Sequence, residues 1–218
     1  MIESSSSFYS LFPQIPEKER EKKIEAILKD NRIFLHICCG PCAEWPVAIL
    51  QKAKAELTGY FYNPNIHPLK EHERRMENVR KFAGIKDVPV IYDDAYMEEK
   101  WLHYKKNPED LSRCDMCYTL RMDRAAKMAK ENGYSFFTTS LLVSPYQKFD
   151  TIVRAGTMAG EKNGITFLPF DFRAGYRLGQ QMAKEDGLYR QKFCGCILSL
   201  EESKYRDKIL EQINIKEK

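Results

Sequence analysis

Apolar and polar positions along this chain switch repeatedly between strand-like and helix-like spacing. Ile33-Phe34-Leu35-His36-Ile37 is a short apolar run of the kind that forms a buried strand. It leads directly into Cys38-Cys39-Gly40-Pro41-Cys42. Glu44 to Leu57 predicts a helix, with Pro46 tolerable only in its first turn. Thr58 to Tyr62 predicts a second strand, stopped by Asn63-Pro64-Asn65. A charged helix follows over Pro68 to Phe82, then a third strand over Val88 to Tyr92. Helices are predicted over Tyr96 to Lys106 and Pro108 to Asn132, and a fourth strand over Ser135 to Ser140. A helix over Phe149 to Lys162 precedes a fifth strand over Thr166 to Phe170. Tyr176 to Lys184 and Leu198 to Ile213 are the last predicted helices. Upstream, Ser4 to Ser7 and the Pro13/Pro16 segment read as a leader. Glu17 to Asp30 reads as an amphipathic helix with Ile24, Ile27 and Leu28 on one face.

Strands alternating with helices predict an α/β fold with a mainly parallel sheet flanked by helices. There is no internal repeat and no linker rich in Gly or Pro. The chain therefore reads as an N-terminal extension over residues 1–30 and a single α/β domain over 31–218. Residues 95–132 are a candidate helical insertion, or lobe.

A length of 218 residues supports one substantial core rather than several large domains. The formal charge of +4 permits nucleic-acid binding without indicating it. The first residues carry no basic and apolar secretory signal. No apolar run approaches the roughly 18–20 residues of a membrane helix, so no membrane is expected.

Seven cysteines change the picture. An odd number cannot all pair within one chain. They fall into three tight sets: Cys38, Cys39 and Cys42; Cys114 and Cys117; Cys194 and Cys196. So many free thiols point to a reducing cytoplasm, where clustered cysteines signal metal binding or catalysis.

The first set follows a strand and opens a helix, the place where open α/β sheets bind ligands. A helix N-terminus also favours thiolate charge. Strand geometry sends neighbouring side chains to opposite faces, so Cys38 and Cys39 are expected to serve different metals. Cys114, Cys117, Arg121 and Arg124 fall on one narrow helix face. Arg121 is read there as functional, while Arg124 is equally open to being solvated. Gly195 lets the third set bend toward a cluster, and Phe193 can shield it from water. Soft sulfur donors favour iron–sulfur or zinc over magnesium or calcium. A cubane takes four thiols, and a neighbouring metal would use the other three. Asp171 and Asp115 are the carboxylates that could complete that second metal.

Three readings compete at this point. Cys39-Gly40-Pro41-Cys42 matches a thioredoxin-like dithiol but leaves five cysteines unexplained. An ATP-dependent tRNA sulfurtransferase shares the architecture, but its Gly/Ser-rich phosphate loop is replaced here by cysteines, so no nucleotide hydrolysis is expected. A zinc-stabilised tRNA-binding protein is the non-enzymatic alternative.

Taken together, the motifs resemble one family, the QueH-type epoxyqueuosine reductases. The matching segments are Leu35 to Cys42, Tyr62 to Pro68, Arg113 to Tyr118 with Arg121, Thr138 to Gln147, Asp171-Phe172-Arg173 and Phe193 to Cys196. The resemblance covers roughly Asn31 to Ser203. It implies a Rossmann-like (HUP or PP-loop-like) single domain and a cobalamin-independent oxidoreductase. It further implies two-electron reduction of epoxyqueuosine in a tRNA anticodon to queuosine. The cofactors implied are a [4Fe-4S] cluster and an additional iron ion, held by the seven cysteines. An external electron donor is needed. His36, His67, Tyr146 and Asp171 are the candidate catalytic groups, although His36 reads equally well as a satisfied core histidine. Arg113, Arg121, Gln147 and Arg173 are candidate substrate contacts. Lys70, Arg74 and Arg75 form a further basic stretch, open to being a solvated face.

Overall fold

The computed structural model of the protein describes residues 32–106 and 112–214. The predicted helix over Glu17 to Asp30 and the leader before it lie outside the described residues, as does the start of the helix predicted from Pro108.

Strand β1 (Arg32–His36) lies at the centre of a five-stranded sheet of order β3-β2-β1-β4-β5. Its partners are β2 (Glu56–Tyr62), β3 (Val90–Asp93), β4 (Phe136–Thr139) and β5 (Thr166–Phe167). All four pairings are parallel; Leu35 is matched with Gly59 on one side and Thr138 on the other. A strand buried on both faces reads as a continuous apolar run, and Ile33, Phe34 and Leu35 are fully buried. The sheet winds outward from β1 in both directions. Its topological switch point therefore lies between β1 and β4, where open α/β sheets bind ligands beyond the strands' carboxyl ends.

Helix α1 (Gly40–Lys52) starts earlier than its apolar spacing suggested. Cys39 is its extended N-cap, and Pro41 fills an opening position whose missing N–H costs nothing. Pro46 consequently lies inside the helix rather than in its first turn. The helix ends at Lys52, and Leu57 belongs to β2. Helix α2 (Leu69–Lys86) leads to β3. Helix α3 (Glu98–Lys106) buries Trp101, and α4 (Arg113–Glu131) follows it. Ser112 caps α4 by accepting from the Asp115 N–H at 3.3 Å. Met122, Ala125, Ala126 and Ala129 share one helix face, and all belong to the core that covers the sheet.

A 3₁₀ turn over Ser140–Val143, absent from the sequence reading, joins β4 to the loop before α5 (Phe149–Asn163). Strand β5 stops after Phe167 because Pro169 cannot extend a ladder. Helix α6 (Tyr176–Glu185) packs against α1. The predicted last helix is two: α7 (Ile197–Glu201) and α8 (Arg206–Asn214). Ser203 divides them, since its hydroxyl accepts from the Tyr205 N–H at 3.2 Å and starts a new turn. Among the described residues, no helix is long and apolar enough to cross a membrane.

Candidate metal centre and substrate cleft

The chain leaves β1 at His36 and turns into α1 at Gly40, so the alternation of strand side chains ends before the cysteines begin. Cys38 and Cys39 therefore converge instead of diverging. Their sulfurs are 3.8 Å apart, and the Sγ atoms of Cys38, Cys39 and Cys42 all lie within 4.8 Å of one another. This corrects the expectation that the Cys38 and Cys39 side chains point to opposite faces. Ser140, just past β4, ties the switch point together: it accepts from the Cys38 N–H at 2.9 Å, and its hydroxyl donates to the Cys38 sulfur at 3.2 Å. Gln191 donates to the Cys39 sulfur at 2.8 Å.

These thiols differ in charge preference. Hydrogen bonds from the Cys39 and Cys42 thiols, with Arg121 and Ser140 nearby, hold the Cys38 thiol well below its ordinary value. Burial pushes Cys39 up, and the hydrogen bond to Cys38 pushes Cys42 up. Three soft sulfur donors held this close to one another suit ligation of a soft metal.

A second set gathers beside it. Cys117 and Cys196 pack in one cluster with Trp101 and Leu198. Burial pushes the Cys117 thiol up to about 12, and the charges of Cys194 and Cys196 add to the effect. Cys114 and Cys196 both influence Arg113, while Cys114, Cys117 and Cys194 all influence Tyr118. All seven cysteines are free thiols.

Arg121 lies between the sets. It is buried, with Nη1 3.9 Å from the Cys117 sulfur, and its charge reaches Cys38 and Cys194. Its Nε has no hydrogen-bond partner among the described residues. Arg75 shapes the Cys194 loop: Nε donates to Glu71 at 2.7 Å, while Nη1 and Nη2 donate to the Cys194 and Phe193 carbonyls at 2.9 and 3.2 Å. Arg75 thus lies inside the protein rather than on the solvated basic face suggested for it. Gly195 has φ +140°, and a Cβ there would stand 3.2 Å from Arg75 Nη1 and Ile66 Cγ1.

A cleft of about 310 Å3 opens over this centre. Cys38, Cys39, Cys42 and Cys194 line it together with Arg75, Arg121, Arg190 and Lys192, and among the described residues no carboxylate does. Tyr146 and Gln147 also line it. Gln147 is held by the Tyr118 hydroxyl, which donates to Oε1 at 2.6 Å, and its Nε2 reaches the Cys194 sulfur at 3.5 Å.

The other sequence candidates sit elsewhere. His36 is buried under the cleft with Nδ1 2.8 Å from Thr139 Oγ1 and Nε2 3.1 Å from the Tyr62 carbonyl. Burial pushes it down to about 3. His67 has both ring nitrogens engaged, by the Pro64 carbonyl at 3.1 Å and the Ile197 N–H at 3.0 Å. Asp171 pairs with Arg173 at 2.7 Å, and Arg113 pairs with Glu202. Asp115 pairs with Arg154 at 2.6 Å, and Arg124 with Asp93 at 2.9 Å. None of these seven lines the cleft. Gln191, Ser140, Asn63 and Tyr176 were not singled out from the sequence. Ser140 and Asn63 lay inside the resembling segments, whereas no sequence signal marked Gln191 or Tyr176.

The donor set fits a soft metal on its own chemistry: clustered thiols, a buried unneutralised guanidinium and hydrogen bonds to sulfur. A parallel α/β sheet carrying such a site at its switch point defines a doubly wound protein whose cysteines can hold a metal. The family model described as epoxyqueuosine reductase QueH matches residues 33–202. The chain belongs to that family. Curated relatives named epoxyqueuosine reductase QueH include one from Thermotoga maritima, 38% identical over 77% of this chain and 90% of its own length. Another, from Histophilus somni, is 34% identical over 85% of this chain and 79% of its own length. The fold is shared with a solved structure described as the U34-tRNA thiolase NcsA from Methanococcus maripaludis with its [4Fe-4S] cluster. That match has a TM-score of 0.53 at 12% identity and covers 95% of this chain and 72% of the thiolase.

Proposed function

We propose that this enzyme reduces the epoxide of epoxyqueuosine in a tRNA anticodon to the alkene of queuosine, acting in the cytoplasm. The observation that carries the proposal is the cleft itself. Thiols distant in sequence meet at the sheet's switch point under a cavity lined, among the described residues, by four cations and no carboxylate. Family membership supplies the substrate.

The reaction consumes two electrons and two protons and releases the epoxide oxygen as water. A [4Fe-4S] cluster and an adjacent iron would supply single electrons and a Lewis acid for that oxygen. Cys38, Cys39 and Cys42 on one side, and Cys114, Cys117, Cys194 and Cys196 on the other, are the residues that would hold them. The electrons come from an external donor.

The rest of the site works by charge and position. Arg121 offsets negative charge that thiolates concentrate in a dry interior. Ser140 and Gln191 orient the Cys38 and Cys39 sulfurs. Gln147, fixed by Tyr118, offers its amide to the substrate. Tyr146 lines the cleft, whereas His36 and His67 do not. His36 and His67 serve as buried struts. Arg113 and Arg173 are neutralised by Glu202 and Asp171, so the cations assigned to substrate are Arg190 and Lys192.

Anaerobic reconstitution with iron and sulfide, then reaction with epoxyqueuosine-containing tRNA and dithionite, tests the reading. Nucleoside mass spectrometry should show epoxyqueuosine converted to queuosine. An intact epoxide beside a fully loaded, reduced protein overturns the proposal.

A further inference from the structure

Tyr146 is the most exposed large apolar residue among those described, at 81%. It stands at the rim of the thiol-lined cleft. Its ring meets Tyr176 edge to face, with centroids 5.8 Å apart and an interplanar angle of 82°. The turn beneath it is anchored on both sides: the Tyr146 N–H donates to Ser144 Oγ at 3.3 Å, and the next residue, Gln147, is clamped by Tyr118. An exposed aromatic ring on an anchored turn is costly to leave in water and already ordered for a ligand.

The cleft sets the ligand's size. About 310 Å3 is at the small end for a ligand pocket, and the thiol-held group proposed above would take part of it, so no run of strand can enter beside one extruded base. The nucleotides flanking such a base must be held outside, at the mouth. Arg190 and Lys192 line the same mouth. Lys192 also leans over the Tyr205 ring, with Nζ 5.0 Å from its centroid. Cations that track a backbone beside an aromatic ring that takes a base form the pattern used for single-stranded nucleic acid.

We propose that Tyr146, braced by Tyr176, is the stacking platform for an unpaired base flanking the one that enters the cleft, with Arg190 and Lys192 on the adjoining phosphates. This assignment rests on the tRNA substrate proposed above. It makes the ring of Tyr146, rather than its hydroxyl, the functional group.

The test uses the reconstituted, full-length protein and an anticodon stem-loop with 2-aminopurine at the nucleotide flanking the wobble position. Wild-type protein and Tyr146→Phe should quench the 2-aminopurine and bind alike. Tyr146→Ala should lose the quenching and bind roughly 5- to 150-fold more weakly, the range spanned by one stacked base. Its iron content and visible spectrum should match the wild type, because the side chain supports no core contact. Equal binding and quenching by the alanine variant overturns the platform. Loss of activity in both variants with binding unchanged overturns it too, and assigns Tyr146 to proton transfer. If wild-type protein binds no stem-loop at all, the tRNA reading fails instead.

Discussion

Arg121 on α4 donates from Nη2 to Asn63 Oδ1 at 2.5 Å, and Asn63 Nδ2 donates in turn to the Ile37 carbonyl at 2.9 Å. This two-step link joins a helix to the end of the central strand, at the point where the first cysteine set begins. The same guanidinium faces Cys117 on its other side. One side chain thus holds together the walls that carry the two thiol sets.

Arg121→Met should therefore damage the fold and the metal site together. Asn63 Oδ1 would be left buried without a donor, at a cost of about 1–3 kcal/mol. The thiolates would also lose a buried cation, so less iron should remain per chain after gel filtration. Urea denaturation and iron analysis read the two effects. A variant matching the wild type in both would show that the link is incidental.

Removal of single thiols should separate ligands from bystanders. Cys38→Ala, Cys117→Ala and Cys194→Ala are expected to abolish epoxide reduction and lower iron content. Chelation of the wild type should lower its melting temperature, since a ligand bound only to the folded state stabilises it. Full turnover in all three variants would remove the cysteines from the chemistry.

Much of this arrangement was legible in the sequence, and the part that was not has a physical reason. Apolar runs located every strand among the described residues, because parallel strands buried on both faces read as continuous runs rather than alternating ones. Element ends were lost where a cap outweighs the pattern. Cys39 and Pro41 begin α1 ahead of its apolar stripe, and Ser203 splits the last helix. The cysteine sets were visible from spacing, but the meeting of Cys38 with Cys39 depends on where β1 ends. The partners of charges were invisible. Arg75 reads like its neighbours Lys70 and Arg74, yet it is buried against Glu71, a residue one helical turn away. Gln191 and Tyr176 reach the site only through the tertiary fold.

The Arg75–Glu71 pair gives a stability prediction. Both side chains are buried, and the Tyr189 hydroxyl also donates to Glu71 at 3.1 Å. Arg75→Met would leave a buried carboxylate without its cation and free the Cys194 and Phe193 carbonyls, at a cost of about 3–5 kcal/mol. The Glu71→Gln/Arg75→Met double variant should recover part of that loss, because no charge is then stranded. A single variant within 1 kcal/mol of wild type in urea, on the order of the effect of an exposed pair, would show that the pair contributes little.

His67 predicts a pH dependence. Burial pushes its imidazole down from 6.5 to about 4, and its neutral ring bridges the Pro64 carbonyl and the Ile197 N–H. Between those values the unfolded chain binds a proton that the folded chain refuses. Folding stability contributed by this group is therefore complete above pH 6.5 and is lost as the pH falls toward 4, by about 3 kcal/mol in all. The carboxylates titrate in the same window, so the informative quantity is a difference. His67→Gln carries no titrating ring, and its stability should fall less steeply with acid than the wild type's, by up to one proton. Parallel slopes in urea denaturation series between pH 4 and 7 would mean that His67 accepts its proton in the folded protein, and that the loop carrying Cys194 and Cys196 is not held by a neutral imidazole.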